Sequence, residues 1–143
     1  MSFLASSPIR LESFRSERGI AIVQTPARGI LYSKVQGHAD LALAKHLMEA
    51  FDRVAADWSP VESFHDWQGV QSYDSEARDA YIQWAQGHRP KVLRVHILTG
   101  SKLVAMAVAV AKLKLDYLEP YTDQKAFEER KLEAIWRRLR ELR

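Results

Sequence analysis

The chain has 143 residues with 47% hydrophobic and 27% charged side chains, which is typical of one globular domain and excludes extensive disorder. The absence of cysteine excludes disulfides, thiolate zinc sites, iron–sulfur clusters and cysteine nucleophiles, and it favours an intracellular protein. The net charge is +3, of which residues 130–143 carry +4 and the rest of the chain −1. The body of the protein is therefore not basic, and the basic residues near the end are typical of the solvated face of a helix, so binding to nucleic acid is not expected.

The first elements are an irregular segment and a hairpin. Residues 1–17 are expected to be irregular, with a short edge strand around Ile9–Phe14. The beginning of the chain lacks the basic segment and long apolar core of a signal peptide, which favours a cytoplasmic protein. Two runs rich in β-branched or alternating residues, 20–23 and 29–35, flank a Pro- and Gly-containing turn and predict an antiparallel hairpin.

A helix follows the hairpin. Asp40 is suited to the N-cap position, and Pro60 excludes helical backbone at the residue before it. Between them, apolar residues recur every three or four positions, which predicts one buried stripe on an amphipathic helix. The members of that stripe are Leu43, Leu47, Ala50, Phe51 and Val54.

The second half of the chain alternates strands with helices, and its turn and cap residues divide it clearly. The predicted elements are a strand at 61–67, a loop at 69–74, a helix that begins after Asp74 or Ser75 and ends at Gly87, a strand at 91–99, a helix at 102–115, a strand at 118–121, and a final helix that begins after Thr122 or Asp123.

The order β-β-α-β-α-β-α-β-α predicts an α/β fold. We expect a mixed sheet of four or five strands that begins with an antiparallel hairpin and continues with parallel pairings, and about four helices mostly on one face or at the margins. Short loops and the absence of a linker predict a single domain over residues 1–143, with its core at 18–142.

The most apolar run is LVAMAVAVA, residues 103–111, which spans about half of a membrane helix. Lys102 and Lys112 bound it, so we predict a buried core helix and no transmembrane segment. The last helix carries a second apolar stripe, and the two helices together offer more apolar surface than one sheet face needs. This surplus predicts a homodimer. The second stripe consists of Leu132, Ile135, Trp136 and Leu139.

The segment 65–77, HDWQGVQSYDSEA, resembles a strand–loop–helix motif of the STAS domain, the fold of bacterial anti-sigma factor antagonists and of the wider SpoIIAA-like group. The usual pattern there is a strand ending in Asp-Leu-Ser-Gly-Val, a few residues, and Asp-Ser-Ser/Thr-Gly at the start of a helix. The similarity extends over residues 18–142 as topology. The positions that match the motif are Asp66, Gly69, Val70, Asp74 and Ser75.

The resemblance implies a non-catalytic bacterial regulatory or protein-interaction module, whose unknown protein partner would contact the loop Asp74, Ser75 and Glu76. The residue that the family phosphorylates corresponds to Glu76, which cannot accept phosphate, and Ala77 replaces the glycine after it. We therefore expect a constant negative charge and no phosphorylation switch at that position. The same loop residues are also suited to helix capping. A flat surface around Asp74 would favour the interaction module.

Two other classes of function stay open. A carrier would hold an apolar or lipid-like molecule beside helix 102–115, and an unfilled cavity there would favour it. An enzyme would use His65, Asp66 and His96, whose side chain types suit acid–base or metal chemistry, and a cleft where the histidines converge would favour it. No metal-ligand spacing is present, so we expect structural roles for these residues, with no metal, no cofactor and no enzyme activity. No role is assigned to His38, His46 and His88.

Overall fold

The computed structural model describes residues 11–142, which form six β-strands and four α-helices. In chain order these elements are β1 (Leu11–Arg15), β2 (Gly19–Ala27), β3 (Ile30–Ala39), α1 (Leu41–Asp57), β4 (Val61–Tyr73), α2 (Ser75–Gly87), β5 (Val92–Thr99), α3 (Lys102–Lys112), β6 (Leu118–Tyr121) and α4 (Gln124–Glu141). A short 3₁₀ turn at Arg89–Lys91 precedes β5.

The strands form one sheet in which their spatial order equals their order in the chain. β1, β2 and β3 pair antiparallel, whereas β3, β4, β5 and β6 pair parallel and are connected through helices. The predicted α/β fold, its antiparallel hairpin and its parallel pairings are confirmed, with six strands instead of four or five.

The sixth strand is β1, which lies at the edge of the sheet where a short edge strand was expected within an otherwise irregular segment. It pairs with β2 from Leu11 to Arg15, and Phe14 stacks on His46 of α1 with ring centroids 4.6 Å apart. Backbone pairing, this aromatic contact and an ion pair between Glu12 and Arg53 of α1 hold a segment whose sequence lacks a strong apolar pattern. The first residues of the predicted edge strand, 9 and 10, lie outside the described residues.

The predicted loop at 69–74 is wrong over most of its length, because β4 continues to Tyr73. Its carboxyl-terminal part pairs with the end of β3, and two register shifts accommodate the extra residues of β4. Polar residues and a glycine gave this segment the composition of a loop. The glycine instead permits close approach, since a Cβ at Gly69 would lie 2.8 Å from Cγ of Gln36.

The helices cover both faces of the sheet unequally. Alternate strand residues such as Leu31, Val35 and Ile97 form a large core with α1, α2 and α3. Their neighbours of opposite parity, such as Ile30 and Leu98, form a smaller core with α4 on the other face. We call these two sides of the sheet the three-helix face and the α4 face.

Because α4 lies on the opposite face, it does not cover the outer side of α3. The most exposed apolar side chains of α3 and of the turn after it are Leu103, Met106, Val110 and Leu113. The helix ends at Lys112, slightly earlier than predicted, and Leu115 is buried after the turn. Within residues 11–142, none of the helices has the length and hydropathy that crossing a membrane requires.

Candidate functional site

The predicted partner-facing residues Asp74, Ser75 and Glu76 lie together at the start of α2 and are exposed. Asp74 occupies the N-cap position, but its side chain accepts no hydrogen bond from the helix. Its backbone carbonyl accepts from the amides of Ala77 and Arg78 at 3.0 and 3.2 Å. The side chain serves a different partner.

That partner is His38, near the end of β3, whose Nε2 lies 2.7 Å from Oδ1 of Asp74. Nδ1 of the same ring lies 2.7 Å from Oγ of Ser72. His38 and Ser72 are paired positions on neighbouring parallel strands, so the backbone register sets their approach. The side chain of His38 is 10% exposed and that of Asp74 is 49% exposed, so a buried ring connects a half-buried hydroxyl to a surface carboxylate.

Sequence reasoning missed this arrangement because it gave His38 no role. The sequence does contain a weak signal for such a site: Ser72 and Asp74 are two residues apart at the junction between a strand and a helix. The carboxyl ends of neighbouring parallel strands meet at one edge of a sheet, which brings a residue near the end of β3 beside them. The two register shifts between β3 and β4 decide which residue this is, and they leave no signature in the sequence.

The alternative site, His65 with Asp66 and His96, is not assembled. β4 and β5 are parallel neighbours, as the hypothesis required, but His96 is paired with Phe64 and not with His65. Because side chains alternate along a strand, His65 lies on the three-helix face and His96 on the α4 face. The convergence of the two histidines that would have favoured an enzyme is therefore not present.

His65 is buried between two serine hydroxyls. Its Nδ1 lies 2.6 Å from Oγ of Ser33, and its Nε2 lies 3.2 Å from Oγ of Ser63. Burial, and secondarily the charge of His96, lowers the pKa of His65 to about 3. A neutral imidazole with both nitrogens hydrogen-bonded to serines is a structural element of the core.

His96 lies in a charged network beneath α4. Its Nε2 is 2.7 Å from Oε2 of Glu62, its Nδ1 is 2.8 Å from the hydroxyl of Tyr121, and its ring stacks on Phe64. Arg137 of α4 donates to the other oxygen of Glu62 at 2.7 Å. Burial acts to raise the pKa of Glu62, but the hydrogen bond and charge of His96, with the charge of Arg137, outweigh it and lower that pKa.

Asp66 also faces away from His65. Its Oδ1 accepts from the backbone amide of Gln68 at 3.1 Å and from the Gln68 side chain at 3.3 Å. This is a local turn-like contact that satisfies a buried carboxylate. In the part of the chain that the structure describes, no group of three or more His, Asp or Glu side chains is placed to hold a metal ion.

An apolar cavity of about 110 Å³ lies between the three-helix face and its helices. α3 contributes Val104, Ala107 and Val108 to its wall, and α2 contributes Arg78 and Tyr81. The wall also includes Trp67, whose indole Nε1 is buried and has no hydrogen-bond partner among residues 11–142. The cavity lies beside predicted helix 102–115, where an unfilled cavity favours the carrier over the other two classes of function.

Neither a protein-family model nor a curated protein matches the sequence. Several solved structures match the fold. An uncharacterized protein from the DUF3478 family with a SpoIIAA-like fold, from Shewanella loihica PV-4, superposes with a TM-score of 0.55 at 15% identity over 86% of this chain and 93% of that one. An anti-sigma factor antagonist from Mycobacterium paratuberculosis gives a TM-score of 0.52 at 15% identity over 89% and 93%. The chain thus has the STAS/SpoIIAA-like fold that its sequence motif indicated.

Proposed function

We propose that this chain is a non-catalytic binding module that holds an apolar small molecule in the cavity beneath α3. The observation that carries the proposal is the cavity itself, whose wall is apolar and is contributed by the sheet and by all three helices of that face. Cavities with apolar walls take up apolar guests, because water finds few hydrogen-bond partners in them.

Two polar groups at the wall support a more specific ligand class. The indole Nε1–H of Trp67 is a buried donor without an acceptor, which costs free energy until a ligand supplies one. Arg78 also lines the cavity; its side chain is 40% exposed, and its Nε donates to Oδ1 of Asp79 at 3.0 Å. An unbranched carboxylic acid satisfies this combination, with its chain in the cavity and its carboxylate toward the donors.

Titration calorimetry with sodium hexanoate tests this proposal, with hexylamine as a ligand of similar length and opposite charge. We expect saturable binding of hexanoate at one site per chain and weaker binding of the amine. Ala107→Phe fills the cavity from α3, whereas Ala109→Phe adds the same ring on the exposed side of that helix. The first variant should weaken hexanoate binding at least about tenfold, which corresponds to about 1.4 kcal/mol, and the second should not.

Circular dichroism and urea unfolding check that both variants fold, because an added ring in a packed core costs about 1–3 kcal/mol. Equal hexanoate affinity in the two folded variants contradicts a ligand site beneath α3. Absence of saturable binding by hexanoate and by its longer homologues contradicts the carrier itself.

The second candidate function is contact with a regulatory protein partner through the start of α2. It is favoured by the exposure of Asp74, Ser75 and Glu76 and by the fold that this chain shares with an anti-sigma factor antagonist. Crosslinking in the host, followed by mass spectrometry, should recover one partner with wild-type protein. Glu76→Lys should abolish that crosslink, whereas Glu133→Lys, an equal charge change on α4, should retain it. Loss in both variants, or in neither, contradicts a contact at α2.

A further inference from the structure

We propose that Ser72 is an activated nucleophile, and that it accepts one acyl group per chain from small activated esters. The inference is independent of the cavity and of the ligand proposed for it. It rests on the line of hydrogen bonds from Ser72 through His38 to Asp74, both of which measure 2.7 Å.

The order of these contacts fixes the direction of proton transfer. An ionised carboxylate only accepts hydrogen bonds, so Nε2 of the neutral ring carries the proton that it donates to Asp74. The lone pair of Nδ1 then faces Ser72, whose hydroxyl donates to it. This tautomer allows His38 to act as a general base, and Asp74 stabilises the imidazolium that forms.

The backbone holds the three side chains in place on rigid elements. The amide of His38 donates to the carbonyl of Arg18 at 3.0 Å, and the amide of Asp74 donates to the carbonyl of Ala39 at the same distance. Gly37, with φ of +89°, permits this approach, since a Cβ there would lie 2.6 Å from the Arg18 carbonyl. The base is therefore positioned before any reagent arrives, which is what efficient proton transfer requires.

Ser72 is accessible to a small reagent. It is half-buried and lies near the end of β4, and Ser75 and Glu76, which follow Tyr73 and Asp74, are exposed. The Asp74 carboxylate contacts His38 and does not cap α2, so it is available to stabilise the imidazolium that forms.

With p-nitrophenyl acetate the step balances without a further reactant. A bond forms between Oγ of Ser72 and the acyl carbon, and the bond from that carbon to the nitrophenyl oxygen breaks. p-Nitrophenolate leaves, and the Ser72 hydroxyl proton passes to Nδ1 of His38 and then to water. The product is an acetyl ester of Ser72, formed stoichiometrically.

Peptide mass spectrometry after brief exposure to p-nitrophenyl acetate tests the proposal, with a fluorophosphonate as a second electrophile. We expect the acetyl group on Ser72 and a p-nitrophenolate burst of one equivalent. Ser72→Ala should abolish the burst, and Ser13→Ala, a control at an exposed serine of β1, should leave it unchanged. His38→Gln should slow it about 100-fold, the lower end of what general-base catalysis contributes, and Asp74→Asn should slow it to a smaller degree.

The wild-type protein provides a test that needs no variant to fold. After brief exposure the acetyl group should be found on Ser72 ahead of Ser75 and of the lysines. Acetylation confined to lysines or to Ser75, or an unchanged rate in folded His38→Gln, would each overturn the proposal.

Discussion

The buried imidazole of His65 should make this protein lose stability as the pH falls below neutral. His65 is 1% exposed and lies between the hydroxyls of Ser33 and Ser63, where burial lowers its pKa to about 3. In the unfolded chain a histidine titrates near its ordinary value of about 6.5. Between these two values the unfolded chain binds a proton that the native protein does not.

The sign and the size of the effect follow from this difference in bound protons. The contribution of neutral His65 to stability is fully present above about pH 6.5 and decreases as the pH falls toward 3. The free energy of unfolding should fall by about 1.4 kcal/mol per pH unit, or about 5 kcal/mol over the whole interval. The lowered pKa of Glu62 acts in the same direction, but only near and below its unfolded value of about 4.3.

Urea unfolding, followed by tryptophan fluorescence between about pH 7 and about pH 5, measures this dependence above the range in which Glu62 titrates. His65→Asn is the comparison, because asparagine hydrogen-bonds to the serines and does not titrate. The variant should be less stable at pH 7, and the difference from wild type should shrink by about 1.4 kcal/mol per pH unit on acidification. If the free energies of unfolding of the wild type and the variant change in parallel with pH within experimental error, the argument that His65 is held neutral is refuted.

Three further predictions concern other parts of the chain. Arg137→Ala removes one cation from buried Glu62 and should lower the free energy of unfolding by about 1–2 kcal/mol, whereas exposed Arg140→Ala should change it by less than about 0.5 kcal/mol; equal effects in urea unfolding would contradict the network. Incubation with host extract and ATP should leave Ser75 without phosphate, and Glu76→Ser should keep its circular dichroism spectrum; substantial phosphate on Ser75 would show that a switch survives. The exposed apolar side of α3 should be buried in a homodimer, which Val110→Glu should dissociate; sedimentation of wild type at micromolar concentration as a clean 16.4 kDa monomer would contradict this.

Features governed by local chemistry were predictable from the sequence. The N-cap Asp40 was identified from its type and position, and Asp123 was one of two candidates for the last helix; each accepts a backbone hydrogen bond at the start of its helix. The apolar stripe of α1, from Leu43 to Val54, is buried as its spacing indicated. Such features depend on a few neighbouring residues, so a single sequence specifies them.

The arrangement of the site depended on register, which the sequence does not display. Period-two alternation predicts two faces for β4 and two for β5, but not which face of one strand adjoins which face of the next. His65 and His96 could therefore be considered as one possible site, although they lie on opposite faces. His38 was passed over for the same reason, because its contact with Ser72 exists only after two register shifts between β3 and β4.

The two faces of the sheet are held by different kinds of contact. On the α4 face, His96, Glu62 and Arg137 form hydrogen bonds with defined directions, so α4 has one favourable position over the sheet. On the three-helix face the contacts that line the cavity are mostly apolar and lack the defined directions of hydrogen bonds. α2 contributes Arg78 to the cavity wall, and its N-cap Asp74 binds His38. A ligand that shifts α2 would therefore also change the surface at Asp74, Ser75 and Glu76, which connects the two proposed binding functions through one helix.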